Sequence, residues 1–167
     1  MRIIETASSI LKNDFRDIRY SGFVMQTPEQ VLQSRMGQCW EQVELARHLF
    51  KERGVPCKTY FIDNNSGAPG ELWNNYQTHT FLVFESDGGF YWFEHSWDEQ
   101  NGIHRYDSLK DLLSDVMEKH IAAYEQSRGV KAQNPRIREY DAPRFPINDN
   151  DFIWHCIGGR EIRVEDL

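Results

Sequence analysis

Three residues of this chain have the types that covalent chemistry on a carbonyl needs: Cys39, His79 and Glu94. The reactive form of cysteine is the thiolate, and the unpaired amides and positive dipole end of a helix start favour it. Cys39 follows Gly37-Gln38 and opens a helical pattern, so it meets that condition. A thiol needs a base, and His79 would form an ion pair with the sulfur and later protonate the leaving group. Glu94 would orient the imidazole and stabilise its cation. The Cys39 backbone amide is the nearest donor for a developing oxyanion. Each residue also has a plainer reading. Most free cysteines are inert packing groups, and the charges of Glu41 and Glu44 oppose a thiolate unless they are directed elsewhere. Gln33 is a further possible oxyanion donor, but it falls on the preceding helix and nothing in the sequence aims it.

The elements that must position these groups follow from periodicity. Val43, Ala46, Leu49 and Phe50 form an apolar stripe behind Cys39, and Gly54 with Pro56 ends the helix. Before it, Thr27-Pro28-Glu29-Gln30 has the form of a helix start, with a Thr cap, Pro at the first position and Gln three residues on; Gly37 is expected to end that helix. Residues 57–62 have the composition of a central strand. Residues 64–78 then read as a long loop, in which Trp73 and Tyr76 could line a substrate cleft. Residues 79–85 and 90–97 read as a hairpin through Ser86-Asp87-Gly88-Gly89. A two-residue turn at Asp87-Gly88 sets Ser96 opposite His79, and a four-residue loop sets Glu94 there. Both registers put Glu94 on the face of His79, whereas a one-residue bulge would bring in His95.

Outside this core, residues 3–17 read as a modest amphipathic helix and 98–102 as a polar turn. Residues 108–125 form a clear helix capped by Ser108, with His120 in its second half as a solvated or packing residue. The tail from Val130, with Pro135, Pro143 and Pro146, is expected to wrap the surface in extended form. Residues 152–157 are expected to form a short strand, with His155 and Cys156 facing opposite ways. A length of 167 residues with 40% hydrophobic and 13% aromatic residues fits one packed domain over 1–167. The formal charge is −7, and no basic cluster is dense enough to track a phosphate backbone, which disfavours nucleic acid. No apolar run approaches the roughly 20 residues of a membrane span. The amino end lacks the pattern of a signal peptide, and three cysteines without a Cys-x-x-Cys pair fit free thiols, so a cytoplasmic location is expected.

The same residues carry a resemblance. Thr27-Pro28-Glu29-Gln30-Val31-Leu32, Gly37-Gln38-Cys39-Trp40-Glu41 and Gly54-Val55-Pro56 resemble the core of transglutaminase-like proteins, and His79-Thr80-Phe81-Leu82-Val83 resembles their histidine strand. Phe93-Glu94-His95-Ser96 falls where that superfamily usually has Phe-Asp-Pro-Thr, so Glu94 takes the place of the aspartate and His95 that of the proline. The match covers about residues 27–97, and small bacterial members are the most similar. The resemblance implies an α+β, papain-like fold in which the cysteine helix packs on an antiparallel sheet. It also implies thiol chemistry on amides without metal or cofactor: hydrolysis, deamidation or acyl transfer on a peptide, protein or small amide. Trp40, Trp73, Tyr76 and His95 are the expected substrate contacts, and Cys39, His79 and Glu94 the catalytic set. Two other readings stay open: a catalytically silent domain that keeps the cleft to bind a peptide, and a metal site using Cys39, His79 and His95.

Overall fold

A computed structural model of the chain describes residues 2–21, 26–65 and 78–167. Among these, five α-helices surround a six-stranded antiparallel sheet of order β6-β5-β4-β3-β7-β8. The strands are β3 (Cys57–Asn65), β4 (Thr78–Ser86), β5 (Gly89–Glu94), β6 (Gly102–Tyr106), β7 (Asn134–Tyr140) and β8 (Arg160–Ile162). A separate two-residue parallel pair, β1 (Arg19–Tyr20) and β2 (Met36–Gly37), joins Tyr20 to Gly37 directly before the cysteine helix. None of the described helices is long and apolar enough to cross a membrane.

Period-two alternation divides the sheet into two faces. Leu82, Phe84 and Phe93 pack under α1 (Ile3–Ser9), α2 (Pro28–Ser34) and α3 (Cys39–Glu52). Tyr60, Ile62, Phe81, Val83 and Trp92 pack under α4 (Leu109–Arg128), which contributes Leu112, Leu113 and Val116, all fully buried. At about 1.5–3 kcal/mol for each large side chain withdrawn from water, this one stripe anchors α4 along its length.

Local signals explain the elements around the cysteine. The Thr27 hydroxyl accepts from the Gln30 amide at 3.3 Å, and the Gln30 carbonyl oxygen accepts from the Thr27 amide at 2.8 Å, so α2 starts where the capping box puts it. It ends at Arg35, left-handed at φ 56°, and Gly37 belongs to β2 instead of closing the helix. Val43, Ala46, Leu49 and Phe50 are the buried stripe of α3, and Gly54 at φ 70° turns the chain toward β3. The hairpin takes its two-residue form. Ser86 pairs with Gly89, and Asp87 (φ 50°) with Gly88 (φ 73°) make the turn whose twist suits the strands.

Three expectations are corrected. Residues 152–157 belong to a helix, α5 (Asp149–Ile157), because the Asn148 side chain accepts from the Asp151 amide at 2.8 Å and Asp149 and Asp151 complement the dipole. The β-branched and aromatic composition that suggested a strand lost to that cap. The tail does not simply wrap the surface: β7 is an inner strand, paired with β3 from Asn65↔Asn134 to Thr59↔Tyr140. Pro135 is tolerated as its second residue, while Ile137 and Tyr140 are buried. The first helix is also shorter than expected, with α1 passing into a π-helical stretch, Ile10–Asp14.

Candidate active site

Cys39 is the first residue of α3, half-buried, with Gln38 as N-cap in extended conformation. Both acids feared to oppose its thiolate are occupied inside the protein. Glu41 accepts the Gln38 amide at 3.1 Å on one oxygen and Gln26 Nε2 at 2.9 Å on the other. Burial raises its carboxyl above the ordinary value. Glu44 is paired with Arg47 at 2.8 Å and receives the Tyr140 hydroxyl at 3.3 Å.

His79 lies at the start of β4, buried, with its ring edge-on to Trp97 at 5.3 Å and near-parallel to that of His120 at 6.4 Å. Its Nε2 is 2.7 Å from Glu94 Oε2. The contact follows from register: Leu82 pairs with Phe93, so Glu94, the last residue of β5, is diagonal to His79 on the same face. Burial alone would lower the histidine's pKa, but the Glu94 carboxylate and the Cys39 thiolate outweigh it and raise the value to about 10. An imidazolium therefore donates Nε2–H to Glu94. Nδ1 is the ring nitrogen left for the sulfur.

The other Glu94 oxygen is enclosed by the chain that follows it. Oε1 accepts the amides of His95 (3.0 Å), Ser96 (2.9 Å) and Trp97 (3.2 Å) and the Ser96 hydroxyl (3.0 Å). Burial works against this carboxylate, and the His79 charge with these donors brings its pKa below the ordinary value all the same. For Cys39, burial pushes the thiol up, and the His79 ring and Thr80 more than reverse it, leaving the thiol below its usual value. The sum is a thiol whose ionisation is favoured by a neighbouring imidazolium, itself backed by a carboxylate.

Two hollows meet at the sulfur. The larger, about 680 Å³, has Cys39, Gln38, Trp40, Phe61, Thr80 and Phe152 among its walls. The smaller, about 160 Å³, lies between Cys39, His79, Ser96, Trp97 and His120. Tyr20, 63% exposed, stands beside both. A third hollow of about 300 Å³, between Ile3, Tyr60 and Leu109, contains none of these groups.

Of the expected substrate contacts, Trp40 lines the larger hollow, its indole donating to Asp149 Oδ1 at 3.1 Å and stacked on Phe152 at 4.5 Å. His95 borders neither hollow. Its Nδ1 lies 2.7 Å from Gln42 Oε1, Gln42 Nε2 donates to the Gly37 carbonyl, and the ring packs on Phe15, so it does not join Cys39 and His79. Trp73 and Tyr76 lie outside the described residues. Gln33 is exposed on α2, away from the sulfur. Sequence reasoning passed over Thr80, Gln38, Tyr20 and the α5 wall. Asn148 with Asp151 three residues on was the helix-start signal that could have found that wall.

These shifts fix a pH dependence, cleanest in a Cys39→Ala background where the thiol does not titrate. His79's raised value contributes stability fully present below about 6.5 and lost as pH rises; without the Cys39 thiolate only Glu94 raises it, so the loss is complete below the value of about 10 that the intact site gives. Glu94's lowered value contributes stability present above about 4.5 and lost as pH falls through its folded value. The unfolding free-energy difference between Cys39→Ala and Cys39→Ala/His79→Gln should thus be largest between about pH 4.5 and 6.5. A difference unchanged from pH 6 to 10 in urea titrations would contradict this assignment.

No protein-family model matches the chain, and no curated protein is significantly similar to it.

Proposed function

We propose that this chain is a thiol enzyme of the transglutaminase-like, papain-like kind, acting on amides through a thioester at Cys39. The observation that carries the reading is the His79 ring, held 2.7 Å from a buried carboxylate on one side with the half-buried thiol on the other. The fold supports it: a helix-starting cysteine packs on an antiparallel sheet that brings in the base and the acid on neighbouring strands.

In this reaction the Cys39 thiolate attacks the amide carbonyl carbon and the C=O π electrons move to oxygen, near the Cys39 amide at the head of α3. The C–N bond then breaks as His79 gives its proton to the leaving amine, and a thioester remains. Water or a second amine attacks the thioester, His79 takes its proton, and the C–S bond breaks to restore the thiolate. Glu94 keeps the ring oriented through both proton transfers and stays ionised.

Rapid mixing with an activated phenyl ester tests this without knowledge of the natural acyl group. A burst of about one phenolate per chain is expected, with an acyl adduct mapped to Cys39 and lost in Cys39→Ser. A steady release with no burst and no adduct would refute the thioester and favour a binding domain.

A further inference from the structure

The residue after the histidine has no role in the mechanism above. Thr80 is 2% exposed, yet its hydroxyl has no hydrogen-bond partner. A buried hydroxyl left in that state is costly, and sites that keep one commonly have a use for it. Consecutive strand residues leave opposite faces, so His79 and Thr80 diverge, His79 toward α4 and Thr80 toward α3. Thr80 borders the larger hollow and His79 the smaller, and Cys39 belongs to both. Cys39 therefore stands between the hollow that Thr80 borders and the hollow that His79 borders. Thr80 pairs with Phe61 of β3, and the opposite, β5 side of its main chain is open. After Glu94 the β5 chain turns to wrap the carboxylate, leaving β4 without a ladder partner on that side before Leu82.

We propose that Thr80 is the second donor to the Cys39 thiolate, its hydroxyl completing a cradle whose other members are its own amide and the His79 ring. This deepens the thiol-enzyme reading and rests on it. The electrostatics agree: after burial and His79, the Thr80 amide and hydroxyl are the groups that lower the thiol. A sulfur held by three donors ionises more readily than a free thiol even in a half-buried position. The hydroxyl is then satisfied only while the sulfur is charged.

Thr80→Val keeps the shape and the amide and removes only the hydroxyl. Thiolate absorbance and iodoacetamide alkylation mapped to Cys39 should both shift their pH midpoint up by about one unit, roughly ten-fold slower labelling on the acid side. Thr80→Ser should restore the wild-type midpoint. Cys57, raised to about 11 by burial, and Cys156, raised further, stay silent in this range. In a Cys39→Ala background, Thr80→Val should leave the melting temperature unchanged or higher, because the hydroxyl has lost the group it serves. A low wild-type midpoint that Thr80→Val does not move would overturn the inference and leave the thiol enzyme intact. An equal loss of melting temperature in both backgrounds would overturn it too, as a structural role. A wild-type midpoint near 8.5, the free-thiol value, would instead remove the enzyme reading beneath it.

Discussion

Replacing His79 with alanine should slow alkylation of Cys39 at pH 6 by at least about 100-fold. In the wild-type protein the His79 ring and Thr80 outweigh the burial that pushes the thiol up, so the sulfur ionises at a lower pH than a free thiol. Without the ring, burial is opposed only by Thr80 and the helix start, and the thiol moves back toward its ordinary value. Two and a half pH units below a pKa of about 8.5, the thiolate fraction is on the order of one in three hundred. A less ionised thiol is intrinsically more nucleophilic, which recovers part of the rate and sets the more modest figure. Raising the pH should close the gap, with the two proteins converging as the variant ionises. Equal rates at pH 6, measured on protein shown to be folded by near-ultraviolet circular dichroism, would mean that ring and sulfur do not communicate.

The second large effect concerns Glu94. Its removal as Glu94→Ala should cost about 3–5 kcal/mol in urea unfolding, the range for taking one partner from a buried ion pair. The loss has two sources. His79 is left as a buried ring without its counter-charge, and the amides of His95, Ser96 and Trp97 lose their common acceptor. Glu94→Gln should fall between the two, since an amide oxygen still serves the three N–H groups but brings no charge to His79. A cost under about 1 kcal/mol for Glu94→Ala would show that water replaces the carboxylate freely.

The arrangement of Cys39, His79 and Glu94 was legible because it rests on strict periods and strong local signals. The start of α3 follows from the apolar stripe behind Cys39, and the Glu94–His79 contact from a period of two counted outward from Asp87-Gly88. What could not be read depended on distant partners. Residues 134–140 look like a proline-bearing surface segment until β3 is there to pair with them. Residues 152–157 present a strand-like composition, and only the Asn148 cap with the pairing of Trp40 and Phe152 decides for helix. β6 was missed because its five residues, Gly102–Tyr106, have little apolar content and gain their ladder from β5. His95 looked available for the same reason: sequence shows an imidazole beside the acid, but not that Gln42, fifty-three positions earlier, already holds it.

The loop that wraps Glu94 ties two properties of the pocket to one atom. Ser96 and Trp97, which bind Oε1 through their amides, are also walls of the smaller hollow. Tuning the basicity of the histidine and reshaping the room beside it are therefore one operation. Under the proposed thiol chemistry, altering that wall to admit bulkier reactants shifts the pH at which the site works, and selection on either trait drags the other along.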